Sequence, residues 1–134
     1  PTGQAAIAIV LLAYLRAGDH VLVTDAVYEP VRRFCAEHLS RLGIEFTFYP
    51  PDGAGLAQLL RPNTRMIYAE SPGSLTYEMP DLRQLAELAQ RHDCWLADAS
   101  LGCLPQCLSG MCCDANNPER KAPSVRRRYC SRVA

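Results

Sequence analysis

Four short apolar runs separated by segments of helical period constrain this chain more than any other feature. The runs are His20–Thr24, Ile44–Tyr49, Met66–Ala69 and Cys94–Ala97. The first is rich in β-branched residues and has no polar alternation, as a strand buried on both faces requires. Before it, residues 5–17 predict a helix that is apolar on nearly every face, with Thr2 as a candidate N-cap. After it, Pro30 suits a first helical turn. Val31, Phe34, Cys35, His38, Leu39 and Leu42 then fall on one helical stripe that Gly43 closes. This stripe makes His38 a packing residue. A short helix is expected over residues 54–60. Another follows Pro80, with Leu82, Leu85, Ala86 and Ala89 on one face. Strands that alternate with helices imply an α/β fold, a mostly parallel sheet with helices on both faces.

In such sheets ligands bind beyond the carboxyl ends of the strands. Candidate chemistry therefore lies after Thr24, Ala69 and Ala97, where Asp25–Pro30, Glu70–Ser74 and Asp98 stand. Gly3 and Gln4 open the first helix, where free N–H groups and the helix dipole suit a phosphate; Gly3 could equally ease a turn. Tyr28 could stack on a flat ring or pack locally. Asp98 could pair with a protonated ring nitrogen, cap a helix or serve a metal. His20, His38 and His92 share no metal-ligand spacing.

Charge divides the chain. Residues 1–98 hold twelve acidic and eight basic side chains, and residues 99–134 hold two and six, so the formal net charge of zero conceals −4 and +4. The balance gives no electrostatic case for nucleic acid or an anionic membrane as a partner. No apolar stretch approaches the roughly 20 residues that span a bilayer, and a cytoplasmic location is the default reading.

Four segments in order, Pro1-Thr2-Gly3-Gln4-Ala5-Ala6, Gly18-Asp19-His20-Val21-Leu22, Tyr28-Glu29-Pro30 and Glu70-Ser71-Pro72-Gly73-Ser74, resemble the Cys/Met-metabolism family of pyridoxal-phosphate (PLP) enzymes. The resemblance runs from Pro1 to about Asp98. It implies part of the large domain of the aspartate-aminotransferase-like fold (fold type I). Tyr28-Glu29-Pro30 and Glu70-Ser71-Pro72-Gly73-Ser74 favour the cystathionine β-lyase branch. The γ-synthases and γ-lyases usually carry Tyr-Gly-Gly-Thr and an Asn-Pro at these places. The resemblance implies PLP as cofactor, with Gly3 and Gln4 on its phosphate, Tyr28 over its ring and Asp98 on its ring nitrogen. It implies carbon–sulfur β-elimination that gives homocysteine, pyruvate and ammonia in transsulfuration, a sulfur amino acid as substrate, and a homo-oligomer. The family's amino-terminal arm and carboxyl-terminal domain are expected to be missing.

The resemblance stops after Asp98. The family has Asn-Thr-Trp or similar there, and this chain has Ala99-Ser100-Leu101-Gly102. No Ser-x-x-x-Thr-Lys segment follows to supply the lysine that links to the cofactor. Lys121 is the only lysine, in the unrelated context Glu119-Arg120-Lys121-Ala122-Pro123. Residues 99–134 read as a Cys/Arg-rich tail of a different character, disordered, and as the product of a frameshift near residue 99. A CTG codon for Leu101 followed by any glycine codon contains TGG, a tryptophan codon one base out of frame, which would restore the expected tryptophan at its distance from Asp98. Two further expectations attach to the tail. Cys103, Cys107, Cys112 and Cys113 raise zinc binding, although Cys-x3-Cys-x4-Cys-Cys lacks paired knuckles. Arg126–Arg128 reads as a solvated basic run. The expectation is a lyase-derived fragment without activity of its own, against the alternatives of a non-catalytic interaction or metal-binding protein and of another Cys/Met-metabolism enzyme.

Overall fold

The computed structural model describes residues 2–100. Lys121, the tail cysteines, Arg126–Arg128 and the tail's own character lie outside the described residues.

Helix α1 (Gly3–Tyr14) starts as expected: the Thr2 hydroxyl accepts the Ala5 N–H at 3.1 Å. A cap of this kind is worth about 1 kcal/mol. The helix ends three residues earlier than predicted. Leu15 turns extended and buries its side chain, and the Asp19 carboxylate accepts the Arg16 N–H at 2.8 Å. Strand β1 (His20–Thr24) follows, buried along its whole length. Helix α2 (Glu29–Phe34) has Pro30 in its first turn. It runs on through a π-helical stretch, Cys35–Leu39, and a 3-10 turn, Ser40–Leu42, to Gly43 at φ 71°. Then come strand β2 (Glu45–Tyr49), helix α3 (Leu56–Leu59), strand β3 (Thr64–Ser71), helix α4 (Leu82–Arg91) and strand β4 (Trp95–Ser100). Asp81 caps α4, accepting the N–H groups of Arg83 and Gln84 at 3.0 Å each.

The four strands form one sheet in the order β2-β1-β3-β4. Strand β1 pairs parallel with β2 (Val21 opposite Phe46) and with β3 (Val21 opposite Met66). Period-two alternation sorts the core into two layers. Val21, Val23, Met66 and Tyr68 meet Leu11 and Leu15 of the α1 segment and Val31, Cys35 and Leu39 of the α2 segment. Leu22, Ile67, Ala69 and Leu96 meet Leu56 of α3 and Leu85 and Ala89 of α4. The sheet therefore has helices on both faces, as expected. No helix of the described residues is long and apolar enough to cross a membrane.

Two expectations about the helices are corrected. Helix α1 is buried on one side only, with Leu11 as its buried residue; Ile9 is 62% and Leu12 47% exposed. The sheet covers one stripe of an all-round apolar helix, and no described residue covers the rest. His38 is exposed rather than packed in the core, with its ring 5.1 Å from that of Phe34 in an edge contact. The π-helical stretch widens the turn, so Val31, Cys35 and Leu39 line the core at spacings of four, while His38 and Leu42 rotate outward.

Candidate functional site

The last residue of helix α1, Tyr14, packs at a tilt against Trp95, which opens β4, with ring centroids 4.9 Å apart. Near the first turn of this helix, Gln4 lines a cleft of about 320 Å³ with Pro30, Arg33, Phe34, Glu37 and His38. Pro30 follows the β1 exit loop, so Gln4 lies beside the α2 segment that begins there. Thr2 takes up the Ala5 N–H through its hydroxyl and the Ala6 N–H through its carbonyl, at 3.1 Å each. The Gly3 and Gln4 N–H groups have no acceptor among the described residues, the usual condition of a first helical turn.

The loop from Asp25 to Tyr28 is held from several sides. The Asp25 N–H donates to the Tyr49 carbonyl at 2.8 Å. The Arg32 guanidinium bonds both the Asp25 carbonyl and its carboxylate at 2.7 Å, and lies 4.2 Å over the Phe48 ring. The Ser74 N–H donates to the Ala26 carbonyl at 2.8 Å. The buried Glu70 carboxylate accepts the Tyr28 N–H at 2.8 Å. These ties leave the Tyr28 side chain at the surface, 48% exposed. Gly73 abuts the same loop: a Cβ there would stand 2.7 Å from the Ala26 Cβ. The Ser71–Pro72 peptide bond between Glu70 and Gly73 is cis.

Asp98 lies inside β4 rather than after it, in register with Leu96, and is half-buried. Glu70 and Ser71 likewise belong to β3 itself. Burial raises the Glu70 carboxyl above its ordinary range; the Tyr28 N–H opposes that shift and the negative Asp98 adds to it. Burial also raises the Tyr68 hydroxyl, with Glu70 and Asp98 contributing, and raises the Tyr49 hydroxyl, with Asp98 contributing. The negative charge of Asp98 thus reaches Glu70, Tyr49 and Tyr68. The buried hydroxyls of Tyr68 and Ser71 have no hydrogen-bond partner among the described residues. Buried polar groups rarely stay unpaired, so this end of the sheet has capacity for a polar ligand or water.

Sequence reasoning singled out Gly3, Gln4, Tyr28 and Asp98. It missed the tie from Glu70 to Tyr28 and the close approach of Gly73 to Ala26. An acid that directly follows the apolar run Met66–Ala69 was the available signal for the first. It also missed His20, whose ring is fully buried and bonds Thr64 at 2.8 Å and Thr47 at 2.9 Å. Among the described residues no group of three or more His, Cys, Asp or Glu could hold a metal ion.

Comparison with known proteins gives the family. The family model for Cys/Met metabolism PLP-dependent enzymes matches residues 1–102. Cystathionine beta-lyase of Bordetella avium is 50% identical over 96 residues, 72% of this chain and 24% of that protein. Cystathionine beta-lyase MetC of Escherichia coli is 45% identical over 83 residues, 61% of this chain and 21% of that protein. Among solved structures, cystathionine gamma-lyase from Lactobacillus plantarum complexed with L-serine superposes with a TM-score of 0.69 at 32% identity, over 72% of this chain and 26% of that one. The chain spans about a quarter of the length of these relatives. With a family model over most of its length and relatives this similar, the chain belongs to the Cys/Met-metabolism family of PLP-dependent enzymes.

Proposed function

We propose that the carboxyl edge of this sheet is a PLP site of the carbon–sulfur β-lyase type. The observation that supports the reading is the tie of the Tyr28 loop to Glu70 at the end of β3, with Asp98 acting on Glu70 and Gln4 lining a cleft with Pro30 two residues beyond Tyr28. The donor set suits the cofactor. Two N–H groups at a helix start match a phosphate, an exposed aromatic matches a flat ring, and a half-buried carboxylate matches a ring nitrogen that must keep its proton. When bound, PLP supplies an electron sink for the charge left at a substrate's Cα. The protein's own residues do the rest. Gly3 and Gln4 hold the phosphate through backbone N–H groups. Asp98 holds the proton on the ring nitrogen. Tyr28 covers one face of the ring and keeps water from it.

The substrate class follows from the relatives. A sulfur amino acid such as cystathionine would lose its sulfur substituent from Cβ, giving homocysteine, pyruvate and ammonia. The similarity to the Lactobacillus γ-lyase keeps γ-elimination as the second reading. A cytoplasmic homo-oligomer is the setting that goes with either. Turnover needs a lysine that links to the cofactor, and Lys121 is the only lysine in the chain. The context of Lys121 does not match the family's lysine segment, and we take residues 1–134 by themselves to be a lyase-derived cofactor site without turnover.

The test is a PLP titration of the purified chain, followed by absorbance, borohydride reduction and mass spectrometry. Saturable binding that Asp98→Asn and Tyr28→Ala both weaken is the expected result. An adduct on Lys121 would overturn the assignment as inactive and make β-lyase assays the next step. No saturable binding would sink the site itself.

A further inference from the structure

We propose that Glu70 is the positioning residue for Tyr28: its buried carboxylate, through the Tyr28 backbone N–H, sets where the aromatic ring stands at the carboxyl edge of the sheet. The inference rests on the proposed cofactor site and gives Glu70 a role within it.

Tyr28 is the residue on which α2 begins. Its carbonyl accepts the Val31 N–H at 2.8 Å and the Arg32 N–H at 3.3 Å, and its side chain makes no capping bond. Its N–H is the remaining backbone group that can fix its position, and Glu70 takes that group at 2.8 Å from 42 residues along the chain. The donor is on a loop and the acceptor is on β3, inside the sheet. A rigid element thus dictates the placement of a surface ring, the arrangement by which a site keeps its geometry. The Ser74–Ala26 bond and the Gly73–Ala26 contact hold the same two segments together on the other side of Tyr28.

Stability alone does not account for a carboxylate here. Glu70 is 5% exposed and makes no ion pair among the described residues. A buried acid that bonds a backbone N–H, with a second acid acting on it, is less favourable than an apolar side chain of the same size. What the carboxylate provides that an apolar residue cannot is an acceptor aimed at the Tyr28 N–H.

The experiment uses the full chain and 4′-deoxypyridoxine 5′-phosphate, which has the cofactor's ring and phosphate but no aldehyde. Glu70→Leu keeps the bulk and removes the acceptor; Glu70→Gln keeps an acceptor and removes the charge. Glu70→Leu is expected to weaken probe binding about tenfold, as Tyr28→Ala is, a loss of about 1.4 kcal/mol. The double variant should be no worse than either single one, and Glu70→Gln should bind like the parent chain. Additive losses, or parental affinity in Glu70→Leu, would overturn the proposal. A parent chain that does not bind the probe would refute the cofactor site, and the positioning would then be judged by NMR. Faster exchange of the Tyr28 amide and shifted Tyr28 ring contacts in Glu70→Leu, with the Gly3 and Gln4 amides unchanged, support it; an unmoved Tyr28 sinks it. Should Glu70→Leu fail to fold, the parent chain still decides. Its Tyr28 amide shift must follow the titration of the Glu70 carboxyl, told apart by isotope labelling from Asp98 and Tyr68, and an amide that does not follow it overturns the proposal.

Discussion

His20 shows how one buried side chain can set the pH range of a fold. It opens the central strand with no exposure, its two ring nitrogens facing the hydroxyls of Thr64 and Thr47. Neutral imidazole has one donor and one acceptor, and rotatable hydroxyls can satisfy both. Burial lowers the His20 pKa from its ordinary 6.5; the nearby Arg61 adds to the shift and Glu45 opposes it. The folded state thus prefers the neutral ring, while the unfolded chain takes up a proton below about pH 6.5. The stability contributed is complete above that pH and is lost as pH falls toward the lowered folded-state value. Denaturant midpoints should therefore drop between pH 7.5 and 5.5. His20→Gln should have a lower midpoint at pH 7.5 and a flatter response over the same range. An equally steep response in the variant would assign the effect elsewhere, although the other two histidines, His38 and His92, are exposed.

The loops at the carboxyl edge behave as one element because they touch. Gly73 leaves no room for a side chain: an added Cβ would lie 2.7 Å from that of Ala26. Gly73→Ala should push the Asp25–Tyr28 loop away from β3 and destabilise the chain by about 1–3 kcal/mol in urea unfolding, the usual range for overpacking. Adding Ala26→Gly should restore most of the loss. A double variant as unstable as the single one would place the strain in the Gly73 backbone instead.

Neither this contact nor the Glu70 tie could be read from the sequence, since both join residues more than 40 positions apart. What was legible was local. His20–Thr24 matched its strand end to end, and Thr2, Pro30 and Gly43 marked helix ends as their chemistry requires. Where tertiary packing overrode the local pattern, reading failed. The π-helical stretch turned His38 and Leu42 out of the stripe that regular helical spacing assigned them. Asp98 proved to be a strand residue because β4 continues to Ser100, past the end of the apolar run that marked it. Of the candidate site, Gly3, Gln4 and Tyr28 came from short motifs and Asp98 from its place after an apolar run, while the contact that holds Tyr28 in place needed the fold.

At the scale of the whole molecule, apolar pattern and burial disagree, and the disagreement predicts association. Helix α1 carries apolar residues on nearly every face, yet the sheet buries one stripe and leaves Ile9 and Leu12 outside. Leu75, Tyr77 and Met79 are exposed on the loop after β3. Strand β2 has β1 as its one neighbour in the sheet order, so its other edge is open among the described residues. Strand β2 carries charge beside its apolar residues, an Arg61–Glu45 ion pair and the Arg32 guanidinium over Phe48. Helix α1 carries none at its ends: its first turn has no acidic residue and its last turn no basic one. Exposed apolar side chains of this size drive contact between copies at roughly micromolar concentration. Sedimentation velocity should therefore show the chain self-associating, and Ile9→Lys with Leu12→Glu should shift it toward monomer while the far-ultraviolet circular dichroism stays the same. Those positions are outside the core, so the substitutions remove association without removing packing. A parent chain that sediments as a monomer and melts cooperatively would show that the outer face of α1 is tolerated in water and that the mismatch has no consequence for assembly.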